Sequence, residues 1–197
     1  MILTMVSIDT VKELRERTGI SVMQCKKALE EAEGNIEQAL IILRKHAVKA
    51  AEKKGDRELG AATIQAYIHN NEVGAMVELS SETDFVAKNG DFIALARDIA
   101  MHIAAVNPQS IDRDGINKES YKAAEEVFEK ELADKPEALR AKIMEGKLNA
   151  YTQEIVLLEQ AFIKDQTRSI KDLIEEATQK FGEKVEITRF ARFSVRG

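Results

Sequence analysis

Three stretches of two-residue alternation, two in tandem and one at the far end of the chain, constrain the fold more than anything else in this sequence. Ala62, Ile64, Ala66 and Ile68 share one face of the first, and Val73, Ala75, Val77 and Leu79 one face of the second. Side chains of an extended strand point alternately to its two faces, so this spacing marks strands with one apolar side. Asn70-Asn71 lies between them and suits a tight hairpin turn. The third run, Val185, Ile187, Arg189, Ala191, Phe193 and Val195, is C-terminal. Two strands alone are marginal in water, so the simplest arrangement brings this run into the same three-stranded antiparallel sheet. Helical patterns occupy the rest, and the expected fold class is α+β.

Ahead of the strands, three apolar-periodic runs each open on a capping signature. Thr10 precedes Glu13 by three residues, Ser21 precedes Gln24, and Asn35 precedes Gln38. The first side chain of each pair can accept from an orphan N–H of a new helix while the second reaches back. Three helices are therefore expected within 1–44, broken at Thr18-Gly19 and Gly34. Their inward stripes are Val11 and Leu14, then Val22, Cys25 and Leu29, then Ile36, Ala39, Leu40 and Leu43. The stretch 45–57 is basic and Ala-rich, with Lys45, Lys49, Lys53 and Lys54, and predicts a helical linker. Residues 58–197 form the α+β core. Inside it, Asp91 is expected to cap a helix bearing Phe92, Leu95, Ile99, Ile103 and Val106 that stops at Asn107-Pro108, with further helices over 118–133, 137–147 and 169–181.

The chemistry-bearing residues are sparse. Cys25 is the only cysteine, which rules out an intramolecular disulfide and suits a reducing, cytoplasmic setting; on its helix it behaves as a small buried hydrophobe. No run approaches the roughly 18–20 apolar residues of a membrane helix, and 1–6 is too short for a signal peptide, so the protein is expected to stay where it is made. Residues 1–57 carry 11 Lys and Arg against 9 Asp and Glu, so the acidic surplus behind the net charge of −5 lies in the remainder. That asymmetry is too mild for a nucleic-acid footprint, and a protein partner is expected. Phosphate-loop, dinucleotide and His-Glu-x-x-His patterns are absent, and His46, His69 and His102 are far apart in sequence, so neither a cofactor, a metal nor a catalytic residue is expected. Most charged pairs read as solvated helix faces. Lys26 and Lys27 are the better contact candidates because they follow a tight Gly turn.

Ser80 to Asn89, reading Ser-Ser-Glu-Thr-Asp-Phe-Val-Ala-Lys-Asn, joins a strand to a helix. Its composition fits a capped connector with Phe85 tucked into the core, which is the more ordinary outcome, and also admits a presented acid with an aromatic wedge; the residue chemistry alone does not choose between them.

Here the chain resembles the bacterial elongation factor Ts family, the nucleotide-exchange factors for elongation factor Tu. The resemblance rests on the stretch from Val11 to Gly19, on Cys25-Lys26-Lys27-Ala28-Leu29, on Glu82 to Asn89, on Ala100-Met101-His102-Ile103-Ala104-Ala105, and on Glu159-Gln160 with Phe162. Order and spacing agree from about Ser7 to Phe193. It implies a ubiquitin-associated-like three-helix domain followed by a single α+β core, of the short type whose members pair as homodimers. It implies that the N-terminal domain grips factor Tu, with Arg15, Thr18, Gly19, Lys26 and Lys27 as contact residues and His102 as a further one. It also implies that Thr83, Asp84, Phe85 and Val86 displace Mg²⁺ in the partner, Asp84 and Phe85 intruding so that GDP leaves, with no chemical catalysis by this chain. Ile20-Ser21, Ser81 and Ala161 depart from the usual family pattern of Ala-Gly, Cys and Pro. A peptide-binding adaptor working through residues 8–44, or an enzyme pairing Asp84 with His102, are the rival readings.

Overall fold

The computed structural model describes residues 6–195. Helices α1 (Ile8–Thr18), α2 (Val22–Glu31) and α3 (Ile36–Lys54) precede strands β1 (Ala61–His69) and β2 (Val73–Ser81). A single turn α4 (Asp84–Ala87) leads into α5 (Gly90–Val106), α6 (Lys118–Glu131) and α7 (Glu137–Ile155). The short strands β3 (Ala161–Phe162) and β4 (Asp165–Ser169), helix α8 (Ile170–Phe181) and strand β5 (Val185–Ser194) complete the chain. The fold is α+β, as expected, with a three-stranded antiparallel sheet ordered β1-β2-β5 and a small β3-β4 pair.

Ser21 and Asn35 cap α2 and α3 as their spacing predicts, accepting from the amides of Gln24 and Gln38. For α1 the expectation was one turn late: Ser7, not Thr10, is the cap, and its Oγ accepts from the Thr10 amide at 3.1 Å. Asp91 likewise yields its capping role to Asn89, whose Oδ1 accepts from the Asp91 amide at 2.9 Å. In each case a short polar side chain just upstream reaches an orphan N–H first. Helix α3 continues unbroken through the basic stretch to Lys54, as its Ala-rich composition favours. Helix α7 extends past the expected end at 147, carried by the buried Thr152 and Ile155. Asn70 and Asn71, with φ of 48° and 59°, supply the left-handed pair that turns β1 into β2.

The residues group into two compact units, each assembled from separated stretches of chain. The first takes in the chain as far as Thr63 together with Leu79–Ile93 and Asp172–Glu186. Its helical bundle closes on Val11, Leu14, Ile20, Cys25, Ala28, Leu29, Ala39 and Leu43. Val22, expected on that inward stripe, is exposed instead, and Ile20 fills the core in its place. Beyond the bundle, Phe92 meets Phe181 edge to face at 5.6 Å between ring centroids.

The second unit comprises Ile64–Glu78, Ala94–Lys171 and the chain from Ile187 onward. Ile99, Ile103, Val156 and Leu157 are fully buried within it, as is His102. On β2, Ala75 and Val77 face inward, as their alternation requires. The apolar face of β1 does the opposite: Ile64 and Ile68 are exposed, joined by Met76 of β2 and Phe193 of β5.

Candidate functional site

The segment after β2 divides its residues sharply between anchors and projections. Phe85 is 80 % exposed, whereas its neighbour Val86 is 3 % exposed. Of the two readings of Phe85, the tucked ring is overturned and the presented one stands: on this single turn Val86 and Ala87 take the inner side and Phe85 the outer.

Thr83 occupies the N-cap position of this turn with extended backbone (φ −129°, ψ 156°), yet its hydroxyl makes no capping bond. The hydroxyl donates instead to Oε1 of Glu183 at 2.7 Å, and the Thr83 amide donates to Oε2 of the same carboxylate at 3.0 Å. The Thr83 carbonyl accepts from the fully buried Ser81 hydroxyl at 3.0 Å and from the Ala87 amide at 3.2 Å. Ser81, one of the departures from the family pattern, is therefore hydrogen-bonded into the backbone of the motif. Next to it, Glu82 accepts from the Lys184 amide at 2.6 Å and chelates Nη1 of Arg57 at 3.0 and 3.1 Å. These contacts, the Lys184 amide first, hold its carboxyl below the usual range. The two segments thus grip each other reciprocally, residue 82 with 184 and residue 83 with 183.

Asp84 and Phe85 project from this frame. Lys88 lies 2.6 Å from Asp84, and that bond and charge lower the Asp84 pKa, so an ionised carboxylate paired with an ammonium stands beside an exposed aromatic ring.

The bundle contributes a second surface within the same unit. Arg15, Gly19, Lys26 and Lys27 are exposed, while Thr18 is half-buried and spends its hydroxyl on the Leu14 carbonyl at 2.7 Å. Val22 and Met23, which carry no contact signal in the sequence, are exposed on α2 beside the lysines. Gly19 closes α1 in the left-handed conformation (φ 68°), its N–H returning to the Arg15 carbonyl. A Cβ there would stand 2.8 Å from Nζ of Lys180, whose ammonium pairs with Asp91 at 2.8 Å. Gln179 reaches Gln24 at 3.0 Å, so the α1-α2 corner seats against the end of α8. At that corner, Ile20 is a core residue and Ser21 a helix cap; Ala161 lies exposed in β3. Cys25 is enclosed in the bundle, and burial pushes its thiol pKa up, away from the reactive thiolate.

His102 lies in the second unit and has no exposed surface. The Ile163 amide donates to its Nδ1 at 3.4 Å, which leaves Nε2 to donate to Oε1 of Gln160 at 2.9 Å. Gln160 in turn donates to the Glu154 carbonyl at 2.6 Å. Burial lowers the imidazole pKa, and the ring is a neutral tie between α5 and the β3-β4 pair. Among the described residues, no group of three or more His, Cys, Asp or Glu is placed to hold a metal, and no helix is long and apolar enough to cross a membrane.

Fold and site together define a class: an α+β protein with a helical N-terminal bundle and a short anchored turn that projects an acid and an aromatic. A family model described as Elongation factor TS matches residues 5–197. Elongation factor Ts of Thermosipho melanesiensis is 45 % identical over 194 residues, covering 97 % of this chain and 99 % of that protein. Elongation factor Ts of Thermodesulfovibrio yellowstonii is 46 % identical over 191 residues, covering 96 % of each, and that of Herpetosiphon aurantiacus is 44 % identical over 193 residues, covering 96 % and 98 %. The chain belongs to the elongation factor Ts family, and membership implies nucleotide exchange on elongation factor Tu during translation elongation.

Proposed function

We propose that this chain binds factor Tu·GDP, presses Asp84 and Phe85 against the partner's magnesium site, and so releases GDP for replacement by GTP. The observation that carries this reading is the 80 % exposure of Phe85 on a turn whose neighbours are tied down at both ends. A solvent-exposed Phe costs apolar hydration in the free protein, and burial against a partner recovers it.

Exchange of this kind needs no bond-making by the chain, which acts without catalytic residues or a cofactor. The coupling is reciprocal: a protein that weakens GDP on factor Tu is itself weakened by GDP to the same degree. Burying one Phe side chain contributes about 1.5–3 kcal/mol. Loosening a nucleotide 10³-fold requires about 4 kcal/mol. Phe85 directs the disturbance, and the remainder comes from wider contact and from loss of the Mg²⁺ charge beside the phosphates. The α1-α2 corner supplies that contact through Arg15, Gly19, Lys26 and Lys27, with Thr18 shaping the corner from within. Exposed Val22 and Met23 support this, since apolar side chains one turn from Lys26 and Lys27 on the same helix suit a protein surface. His102, fully enclosed, influences a partner through Gln160 and the β3-β4 pair rather than by touching it.

We also propose that the chain works as a homodimer in the cytoplasm, binding neither nucleic acid nor membrane. The exposed apolar sheet face of the second unit supports the pairing. The deciding experiment is stopped-flow release of labelled GDP from factor Tu with and without this protein. Acceleration is expected; an unchanged release rate sinks the reading, and retention of ubiquitin or short peptides in its place favours the adaptor.

A further inference from the structure

Resting on that reading, we infer that Glu183 is a positioning residue for exchange: its carboxylate sets the direction in which Asp84 and Phe85 project. Turn α4 has only four residues and cannot hold its own geometry, because one helical turn fixes several dihedral angles for very few hydrogen bonds. Its direction is therefore set by whatever fixes its ends. At the C-terminal end, Val86 and Ala87 are buried and the Asn89 amide donates to the Val86 carbonyl at 2.9 Å. At the N-terminal end, the Thr83 amide and hydroxyl both go to Glu183, 100 residues away in sequence.

A Thr at an N-cap ordinarily accepts from an amide two or three residues on and so stabilises its own helix. Here that bond is not made, and the hydroxyl is committed to the loop between α8 and β5. Two bonds from the backbone and the side chain of one residue to the two oxygens of one carboxylate fix rotation as well as position. The adjoining clamp of Glu82 on Arg57 and on the Lys184 amide holds the same loop one residue further along. Gly182, at φ 70°, makes the turn from α8 that lets Glu183 reach Thr83.

Thr83 is exposed and Glu183 half-buried, and the bonds between them are open to solvent, so water replaces them at small cost in stability. What water cannot replace is direction. Removing the carboxylate leaves the docking surface of the bundle intact and frees the N-terminal end of the turn. The consequence belongs to the step after docking, so the maximal release rate should fall while affinity is nearly retained.

The experiment measures GDP release from factor Tu over a range of concentrations of the full chain, for wild type and for Glu183→Ala, Glu183→Gln and Thr83→Val. Expected for Glu183→Ala is a fall of about tenfold in the maximal rate, equivalent to about 1.4 kcal/mol, with the half-saturating concentration moved by less than about twofold. Glu183→Gln should recover most of the rate, because its amide can accept from the Thr83 N–H and donate to the hydroxyl. Thr83→Val combined with Glu183→Ala should be no worse than Glu183→Ala alone, as for two residues acting through one contact. Should Glu183→Ala fail to fold, Glu183→Asp keeps the charge, shortens the reach by one methylene and should lower the maximal rate in the same way. A folded Glu183→Ala variant with the wild-type maximal rate, or one affected only in half-saturation, overturns the inference and leaves the exchange reading standing. A wild-type chain that fails to accelerate release overturns both.

Discussion

Phe85 and Val86 are neighbours with opposite exposures, and substitution should separate their roles. Phe85→Ala removes a ring that makes little contact in the free protein, so stability should stay within about 0.5 kcal/mol of wild type while GDP release from factor Tu slows markedly. A variant that exchanges at the wild-type rate removes Phe85 from the mechanism. Val86→Ala empties a packed position and should cost about 2 kcal/mol in urea denaturation. His102 gives a pH-dependent prediction of defined sign. Its folded pKa lies below the unfolded value of about 6.5, so the unfolded chain binds a proton that the folded chain refuses. Stability is full above that value and is lost as pH falls through it toward the folded pKa, with a limiting slope of about 1.4 kcal/mol per pH unit. Denaturation midpoints at about pH 7.5 and 5.5 should differ more for wild type than for His102→Gln; equal differences would place the titration elsewhere.

Among the elements, the entry to β1 matters most for the motif. The Gly60 amide donates to the Ser81 carbonyl at 3.1 Å, and a Cβ on Gly60 would stand 2.7 Å from the Glu82 carbonyl oxygen. That obstacle is backbone and cannot swing aside, so Gly60→Ala should cost about 1–3 kcal/mol and displace the residue that leads into the turn. Loss of both urea stability and exchange rate is expected; unchanged values would show that the close approach relaxes freely. Sequence alone does not mark Gly60 for this role, because the atom that excludes a side chain comes from Glu82, distant in sequence and just past the end of β2. Helices were legible wherever the signal was local: Ser21 and Asn35 cap as their spacing requires, and Asn70-Asn71 turns the hairpin. Local signals misled where two polar side chains competed for one helix start, as with Ser7 against Thr10 and Asn89 against Asp91. In the site, composition favours a buried aromatic, and the exposure of Phe85 was legible only through the family resemblance, which implies a presented ring. Glu183 was invisible: Glu-Lys after a helix-ending glycine reads as a solvated turn, and nothing near it points to Thr83.

At the scale of the whole molecule, the β1 alternation raises a question that the monomer leaves open. Ile64 and Ile68 were spaced for a covered face, yet Ile68 is 68 % exposed and Phe193 on β5 is 73 % exposed. Arg189 and Glu78 pair across this face, and Ile64, Met76 and Ala191 line a shallow groove beside them. Several large apolar side chains left exposed on one sheet face are a feature of interaction surfaces. A second copy is the economical cover, because a twofold pairing presents the same self-complementary surface from both sides. Stable pairing needs about 1,600 Å² in total, so the interface must spread across the sheet face rather than rest on one residue. The double substitution Ile68→Glu with Phe193→Glu places two like charges on the face of each copy, where the approach of a second copy would have to desolvate them. Sedimentation velocity over a hundredfold concentration range should find wild type as a dimer and this variant as a monomer. Because both side chains are exposed in the single chain, its circular dichroism should be unchanged. If wild type sediments as a monomer throughout, a second copy is not what covers this face.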